Sequence, residues 1–303
     1  MRKEFSDTIE KLGIDNKKVV FISGDLGFNA FENLQDKLGD RFINAGVAEQ
    51  SMVGIAAGLA KKGYKVFCYS IAPFIVYRCL EQIRNDVCFH NLPVFLVGNG
   101  GGFGYGVMGS SHHAISDIAA ISSLQNITCW VPSFKNDVST ITKKILNQNK
   151  PAYLRLGRST SEEKCSNFDS SLTIIENTNS KITLIALGSI VENVISLRKS
   201  NPEIEKINII SCNKLPLDIN KESIGLLKAS KKILIAEDHV EIGGLAQQIS
   251  SFMHKENIKI DNFISLCAKN YPNDLYGSQE YHHKESMIDM EGIKHALLKL
   301  LKD

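Results

Sequence analysis

The chain reads as an α/β protein of two doubly wound units, and three observations carry that prediction. Short β-branched or aromatic runs recur at regular intervals, helical periodicity fills the gaps, and one Ser-rich polar stretch interrupts the alternation midway. The first unit is expected over residues 1–165 and a second, smaller one over 166–303. At 303 residues the chain is long enough for about two domains of ordinary size.

In the first unit, strands are expected at 18–22 (KVVFI), 65–69 (KVFCY), 93–97 (PVFLV), 127–131 (ITCWV) and 152–156 (AYLRL). Each is bounded by Gly, Asn, Asp or Pro. Helical patterns occupy 3–13, 48–62, 74–89, 115–124 and 136–148, which argues for a parallel sheet covered on both faces. Residues 159–171, STSEEKCSNFDSS, form the expected linker. A second alternation follows, with strands at 181–187, 206–210, 232–236 and 259–265 and helices near 190–199, 220–229, 244–254 and 289–302.

Composition narrows the function classes. An apolar fraction of 43% with 22% charged residues is that of a soluble globular protein. A net charge of +2 gives no electrostatic case for nucleic acid or an anionic membrane surface. No apolar run approaches the roughly 20 residues of a bilayer span, and the polar start MRKEFSDTIEKLG lacks a signal-peptide core. Seven scattered cysteines with no CxxC spacing read as buried reduced thiols, so a cytoplasmic protein is expected.

Four segments carry chemistry-bearing residues. In RFINAGVAEQSMVGIAAGLAKKG (41–63), Glu49 follows a strand-like run and starts a helix of small and apolar residues. It reads equally as a ligand-facing group at a strand's carboxyl end or as a glutamate favoured by the helix macrodipole. The loop of residues 97–120 holds seven glycines between Gly98 and Gly109, then Ser111, His112 and His113. It is neither a Walker loop nor a good GxGxxG, and adjacent histidines point apart, so the readings are a polar surface loop or a general acid/base and substrate contact. Phe74 and Tyr77 lie one helical turn apart after Pro73, a spacing shared by core packing and ring-lining aromatics. Arg155 and Arg158 end the strand before the linker, one suited to a structural pair and the other to an anionic group.

Taken in order, GVAEQ, the F-x-x-Y helix, the glycine loop with SSHHAISDIA, the RLGR strand and EDHVEIGGLAQQI (237–249) resemble the C-terminal half of a transketolase. That resemblance implies a pyrimidine-binding domain followed by a C-terminal domain, with thiamine diphosphate as cofactor. Glu49 matches the family's catalytic glutamate, which meets the ring nitrogen of the cofactor's aminopyrimidine. Such a carboxyl group must sit in a dry site, so strong burial of Glu49 is expected. Phe74 matches the aromatic residue stacked on that ring and Tyr77 a ring-lining neighbour. Asp25 and Leu26 match a loop beside the cofactor. His112 matches the family's substrate-binding histidine, which contacts sugar hydroxyls, and His113 is also seen in split members; both are expected to assist proton transfers. Arg158 matches an arginine that grips a sugar phosphate.

The departures matter as much. The family holds diphosphate and a divalent metal (Mg²⁺ or Ca²⁺) through a GDG motif with a downstream Asn, and no GDG occurs in this sequence. The resemblance therefore implies an N-terminal partner subunit carrying the diphosphate and metal site, in an α2β2 assembly acting on sugars, with no metal ligands here. Met108 stands where the family has an acid that contacts a sugar hydroxyl, and Gly100 falls near a phosphate-contacting histidine. These changes suggest a sugar outside the usual pentose phosphates, such as a nucleotide-linked or modified one in surface-polysaccharide synthesis. The alternatives are a 2-oxo acid dehydrogenase β subunit, a deoxyxylulose-phosphate-synthase-like carboligase, and a non-catalytic regulatory partner.

Overall fold

The structure, a computed structural model, describes residues 1–27 and 30–302. The strands are β1 (Val19–Ser23), β2 (Phe42–Asn44), β3 (Lys65–Ile71), β4 (Val94–Asn99), β5 (Thr128–Trp130), β6 (Ala152–Leu156), β7 (Leu172–Glu176), β8 (Ile182–Leu187), β9 (Asn208–Cys212), β10 (Lys214–Leu215), β11 (Lys232–Glu237) and β12 (Asn262–Cys267). The helices are α1 (Arg2–Asp15), α2 (Glu32–Leu38), α3 (Glu49–Lys61), α4 (Ala72–Val76), α5 (Leu80–Gln82), α6 (Asp117–Ser122), α7 (Asp137–Gln148), α8 (Val191–Ser200), α9 (Lys221–Ala229), α10 (Leu245–Lys255), α11 (Gln279–Glu285) and α12 (Met290–Lys302).

Among the described residues two sheets result, ordered β10-β5-β6-β4-β3-β1-β2 and β12-β11-β8-β9-β7. Their pairings are parallel except β10 with β5 and β7 with β9. The apolar runs produce this arrangement because a parallel strand is covered on both faces; every residue of β1, β6 and β8 is buried. Helices supply the cover through one face each. In α7, Val138, Ile141, Thr142 and Ile145 are buried at helical spacing. A fully buried isoleucine such as Ile141 contributes roughly 1.5–3 kcal/mol of hydrophobic stabilisation.

Three features depart from the sequence expectation. The helix expected over 74–89 is broken: α4 ends at Val76, Cys79 leaves helical geometry at φ −107° and ψ 10°, and a π-helical turn spans Ile83–Cys88. The break turns Tyr77 and Arg78 toward different partners, and such interruptions gather at functional sites. The polar stretch 159–171 is irregular but packed rather than loose. Cys165 and Phe168 are buried in it, and the Cys165 amide donates to Asp137 Oδ1 at 2.8 Å.

The third departure is that the two sheets share chain. Strand β10, too short to announce itself by periodicity, leaves the second half to pair with β5, Leu215 opposite Cys129. The Val131 amide donates to the Asn213 carbonyl at 2.8 Å, extending the pairing. The edge strand β7 and the helices α2 and α11 are also absent from the expectation.

Candidate active site

The registers Ser23 with Tyr69, Ser70 with Gly98 and Ile71 with Asn99 align the carboxyl ends of β1, β3 and β4 on one edge. That edge is where open α/β sheets place ligands. Helix α3 begins there with Glu49, which is only 1% exposed. Its Oε1 accepts from Ser70 Oγ at 3.0 Å, and its Oε2 accepts from Arg78 Nη1 at 2.5 Å. A buried carboxylate needs such partners, because desolvating an unpaired one costs several kcal/mol. The strong burial of Glu49 is therefore present, and it comes with two protein donors.

Arg78 completes an aromatic layer. Its guanidinium lies 4.4 Å from the centre of the Phe74 ring, and another neighbour of that ring is His112, centroid to centroid 5.0 Å at 64°. His112 Nδ1 is 3.0 Å from Ser111 Oγ, and the Tyr105 ring stands 6.1 Å away. Tyr105 is fixed by its hydroxyl, which accepts from Asn99 Nδ2 at 2.7 Å. Gly100, at φ +77°, permits this: a Cβ there would overlap the Tyr105 ring, so the position near which a histidine is expected is filled by a tyrosine instead.

The structure therefore brings Glu49, Phe74 and His112 into one chain of contacts. Other expected residues sit around it. Tyr77, 39% exposed, has its hydroxyl 2.9 Å from Ser116 Oγ and accepts from the Ser116 amide at 3.1 Å, tying the end of α4 to the loop before α6. Burial first, and then the Asp117 charge, push its phenol up to about 12. Asp25 adopts φ +57° and accepts from Asn44 Nδ2 at 2.9 Å. The Leu26 amide and carbonyl both bond Ser23 Oγ. Asp25 and Leu26 border a cleft of ≈ 290 Å³ that also touches Phe31 and Asn44. Gly24, one residue before Asp25, lies against Glu49: a Cβ there would come within 3.6 Å of Oε1. Phe28 and Asn29 of the same loop lie outside the described residues.

Met108, 56% exposed, ends a 3₁₀ turn over Gly106–Met108, three residues after Tyr105. Arg158 is exposed at the end of the RLGR strand and within electrostatic reach of Glu280. Its neighbour Arg155 turns inward instead. It pairs with Asp117 Oδ2 at 2.9 Å and donates from Nη2 to the Ala114 and Asp238 carbonyls at 2.9 and 2.8 Å.

One expected residue is elsewhere. His113 is 3% exposed, with Nδ1 at 2.8 Å from the Tyr271 hydroxyl and Nε2 at 2.8 Å from the Gly106 carbonyl. Both ring nitrogens are committed, and the ring packs against Phe103 and His282. Burial outweighs the Gly106 contact and the Asp238 charge and lowers its pKa. The His113 ring therefore does not lie beside that of His112: adjacent loop residues point apart, and this one points into the junction of the two halves. Sequence reading passed over Ser70, Arg78 and Tyr105. Arg78 had a signal, being the charged residue in IVYRCL and one turn (i+4) beyond Phe74. Among the described residues, no group of three or more His, Cys, Asp or Glu is placed to hold a metal ion. No helix among them is long and apolar enough to cross a membrane.

A buried carboxylate, an aromatic face and an imidazole at the carboxyl edge of a parallel sheet define an α/β protein with a candidate ligand site at its strand ends. Residues 1–163 match the transketolase pyrimidine-binding domain. The chain is 27% identical over 315 residues to one subunit of the apulose-4-phosphate transketolase of Phocaeicola vulgatus, covering 99% of this chain and 97% of that one. It is 32% identical over 258 residues to a putative transketolase C-terminal section of Methanocaldococcus jannaschii, covering 82% and 80% of the two chains. A solved split-gene transketolase, described as an inactive β4 tetramer, superposes with a TM-score of 0.84 at 26% identity, covering 99% and 97%. The chain belongs to the transketolase family, and its extent is that of the C-terminal subunit of a split transketolase. Against the 1-deoxy-D-xylulose-5-phosphate synthase of Clostridium perfringens, 28% identical over 304 residues, it spans 48% of the relative's length.

Family membership implies thiamine diphosphate, and the residues present fit the aminopyrimidine end of that cofactor. Glu49 is a desolvated carboxylate that can share a proton with a ring nitrogen, and Phe74 offers a flat face beside it.

Proposed function

We propose that this chain is the C-terminal subunit of a cytoplasmic, thiamine-diphosphate-dependent transketolase that moves a two-carbon ketol unit from a ketose to an aldehyde. The observation that carries the reading is Glu49, 1% exposed yet linked through Arg78 and Phe74 to His112. When bound, the cofactor supplies the carbon nucleophile on which the ketol unit is carried. Glu49 exchanges a proton with the ring nitrogen, Ser70 fixes the orientation of its carboxyl group, and Phe74 holds the ring plane. Tyr77, Asp25 and Leu26 shape the surrounding wall. His112 orients substrate hydroxyls, with Ser111 steering its ring, and Arg158 meets an anionic group at the mouth.

The diphosphate and its Mg²⁺ or Ca²⁺ are assigned to an N-terminal partner subunit, in an α2β2 assembly. The lack of a GDG motif in this chain and its end-to-end match to a relative that is itself named as one transketolase subunit support that division. The pyrimidine-binding domain is taken as 1–165 and the C-terminal domain as 166–303. Met108 and Gly100, in place of the family's acid and histidine, favour a modified sugar substrate over the ordinary pentose phosphates.

The test is exchange of the cofactor's C2 proton for deuterium in the complex of both subunits, with wild type and Glu49→Gln side by side. The proposal expects exchange to slow by roughly 10²-fold or more in the variant. Equal rates would remove Glu49 from its role. A donor and acceptor screen on the same complex, including nonphosphorylated and nucleotide-linked sugars, separates ketol transfer from decarboxylation of a 2-oxo acid.

A further inference from the structure

The contacts of Arg78 are those of a ligand more than of a structural arginine. Glu49 is 1% exposed while Arg78 is 41% exposed, so the pair is buried from one side only. The guanidinium uses two surfaces: an edge N–H donates to Glu49 Oε2 at 2.5 Å, and the group lies 4.4 Å from the centre of the Phe74 ring. A cation that donates an N–H at its edge while lying over an aromatic ring is what guanidinium chemistry provides. Those are also the two surfaces, Glu49 and Phe74, that the proposed function assigns to the cofactor's aminopyrimidine. Both groups cannot use one aromatic face and one carboxylate oxygen together.

We propose that Arg78 is a placeholder in the unassembled subunit, covering Phe74 and pairing with Glu49 until the cofactor ring displaces it. The inference rests on the cofactor reading above. Its physical basis is the cost of an unpaired buried carboxylate. Before assembly, Glu49 has Ser70 as a neutral donor and needs a cation; Arg78 supplies one on a side chain exposed enough to swing away. The contrast with Arg155 supports this, since that guanidinium is held by three oxygen partners and its side chain is 6% exposed. Among the described residues Arg78 has a single hydrogen-bonded oxygen partner, Glu49 Oε2.

Arg78→Met removes the charge and keeps bulk; Arg78→Gln keeps a neutral donor and guards against misfolding of the first variant. Thiamine diphosphate is titrated calorimetrically, with Mg²⁺, into the complex of both subunits. Arg78→Met should bind the cofactor about tenfold more tightly than wild type, and Arg78→Gln less than that but still more tightly. In the full chain alone, Arg78→Met should melt below wild type, and adding Glu49→Gln should recover most of the loss. Equal or weaker cofactor binding in both variants, or a melting loss that Glu49→Gln does not relieve, overturns the placeholder. No binding by the wild-type complex overturns the cofactor reading and the placeholder with it.

Discussion

Two arginine–carboxylate pairs sit near the carboxyl edge of the same sheet, and they are built on opposite terms. Arg155 and Asp117 are 6% and 0% exposed, with Tyr153 donating to the same carboxylate oxygen at 2.7 Å. Arg155 also reaches the Asp238 carbonyl, so the pair closes the junction between the two halves of the chain. Burial works to lower the Arg155 pKa, yet the charges of Asp117 and Asp238 outweigh it and leave it raised. Arg78 and Glu49 bury only the acid. The difference shows how a chain can hold one buried charge permanently and another provisionally. Many buried partners make a brace, whereas a single half-exposed partner leaves a site.

The largest expected effect breaks the brace. Arg155→Met leaves Asp117 buried without its cation and should cost about 3–5 kcal/mol in urea unfolding of the full chain. Combining it with Asp117→Leu should recover more than half of that loss, since both charges are then gone. A single variant as stable as wild type would show that the junction does not depend on the pair. The next effect falls on the other pair. Glu49→Gln should lower ketol transfer by roughly 10²- to 10⁴-fold while changing the melting temperature far less than Arg155→Met. A large melting loss without loss of transfer would reverse the two roles.

How far the sequence revealed this contrast depends on what each residue leaves in the pattern. The parallel core was legible because apolar runs such as VVFIS and AYLRL are continuous and regularly spaced. Glu49 was legible as an acid among small residues, and Phe74 and His112 through their motifs. Strand β10 was not, because a two-residue pairing carries no period, and its partner β5 is distant in sequence. That His112 and His113 point apart was legible, but not where: the fold turns one ring to Phe74 and the other to Tyr271. Arg78 was hidden by the assumption of an unbroken helix over 74–89, in which it would be an ordinary polar position. Gly100 reads as a lost histidine in sequence and as room for Tyr105 in the structure.

A smaller effect sharpens the comparison through pH. His239 bridges the same junction as Arg155: its Nδ1–H donates to the Val240 carbonyl at 2.6 Å, and its Nε2 accepts from the Ala119 amide at 3.2 Å. A second ring proton would set N–H against N–H. Burial is the larger cause of its lowered pKa, with Arg155 also opposing protonation and Asp117 favouring it. His113 and His282 are lowered by burial as well, whereas His283 is raised, chiefly by Asp238 against its own burial. For a histidine lowered in the folded state, the unfolded chain binds more protons once pH falls below about 6.5, so stability is lost toward acid. His283 works the other way, its contribution being present below that pH and lost as pH rises through its raised value. Glu237, its carboxyl pushed up to about 7 by burial, sides with His283 against the three lowered histidines. His239→Gln should therefore shift the pH slope of stability below pH 6.5 toward greater acid stability, by at most about 1.4 kcal/mol per pH unit, read from urea midpoints. An unchanged slope would mean that His239 is not the group responsible.

The smallest effect lies outside both pairs, on the exposed turn that ends at Met108. Met108 is 56% exposed on a short turn, so its replacement should shift stability by less than about 0.5 kcal/mol. Its proposed importance is for substrate, because an apolar side chain stands where the family's acid meets a sugar hydroxyl. Met108→Asp offers an acceptor to that hydroxyl, and one new hydrogen bond is worth about 0.5–1.5 kcal/mol. The expected result is a KM for an unmodified ketose phosphate lowered roughly 2- to 10-fold, with the melting temperature unchanged. A destabilised variant with no change in KM would make Met108 part of the scaffold. A lowered KM would instead place specificity on a residue that neither arginine pair supports, so that binding preference can vary at the rim while cofactor activation and the junction stay fixed.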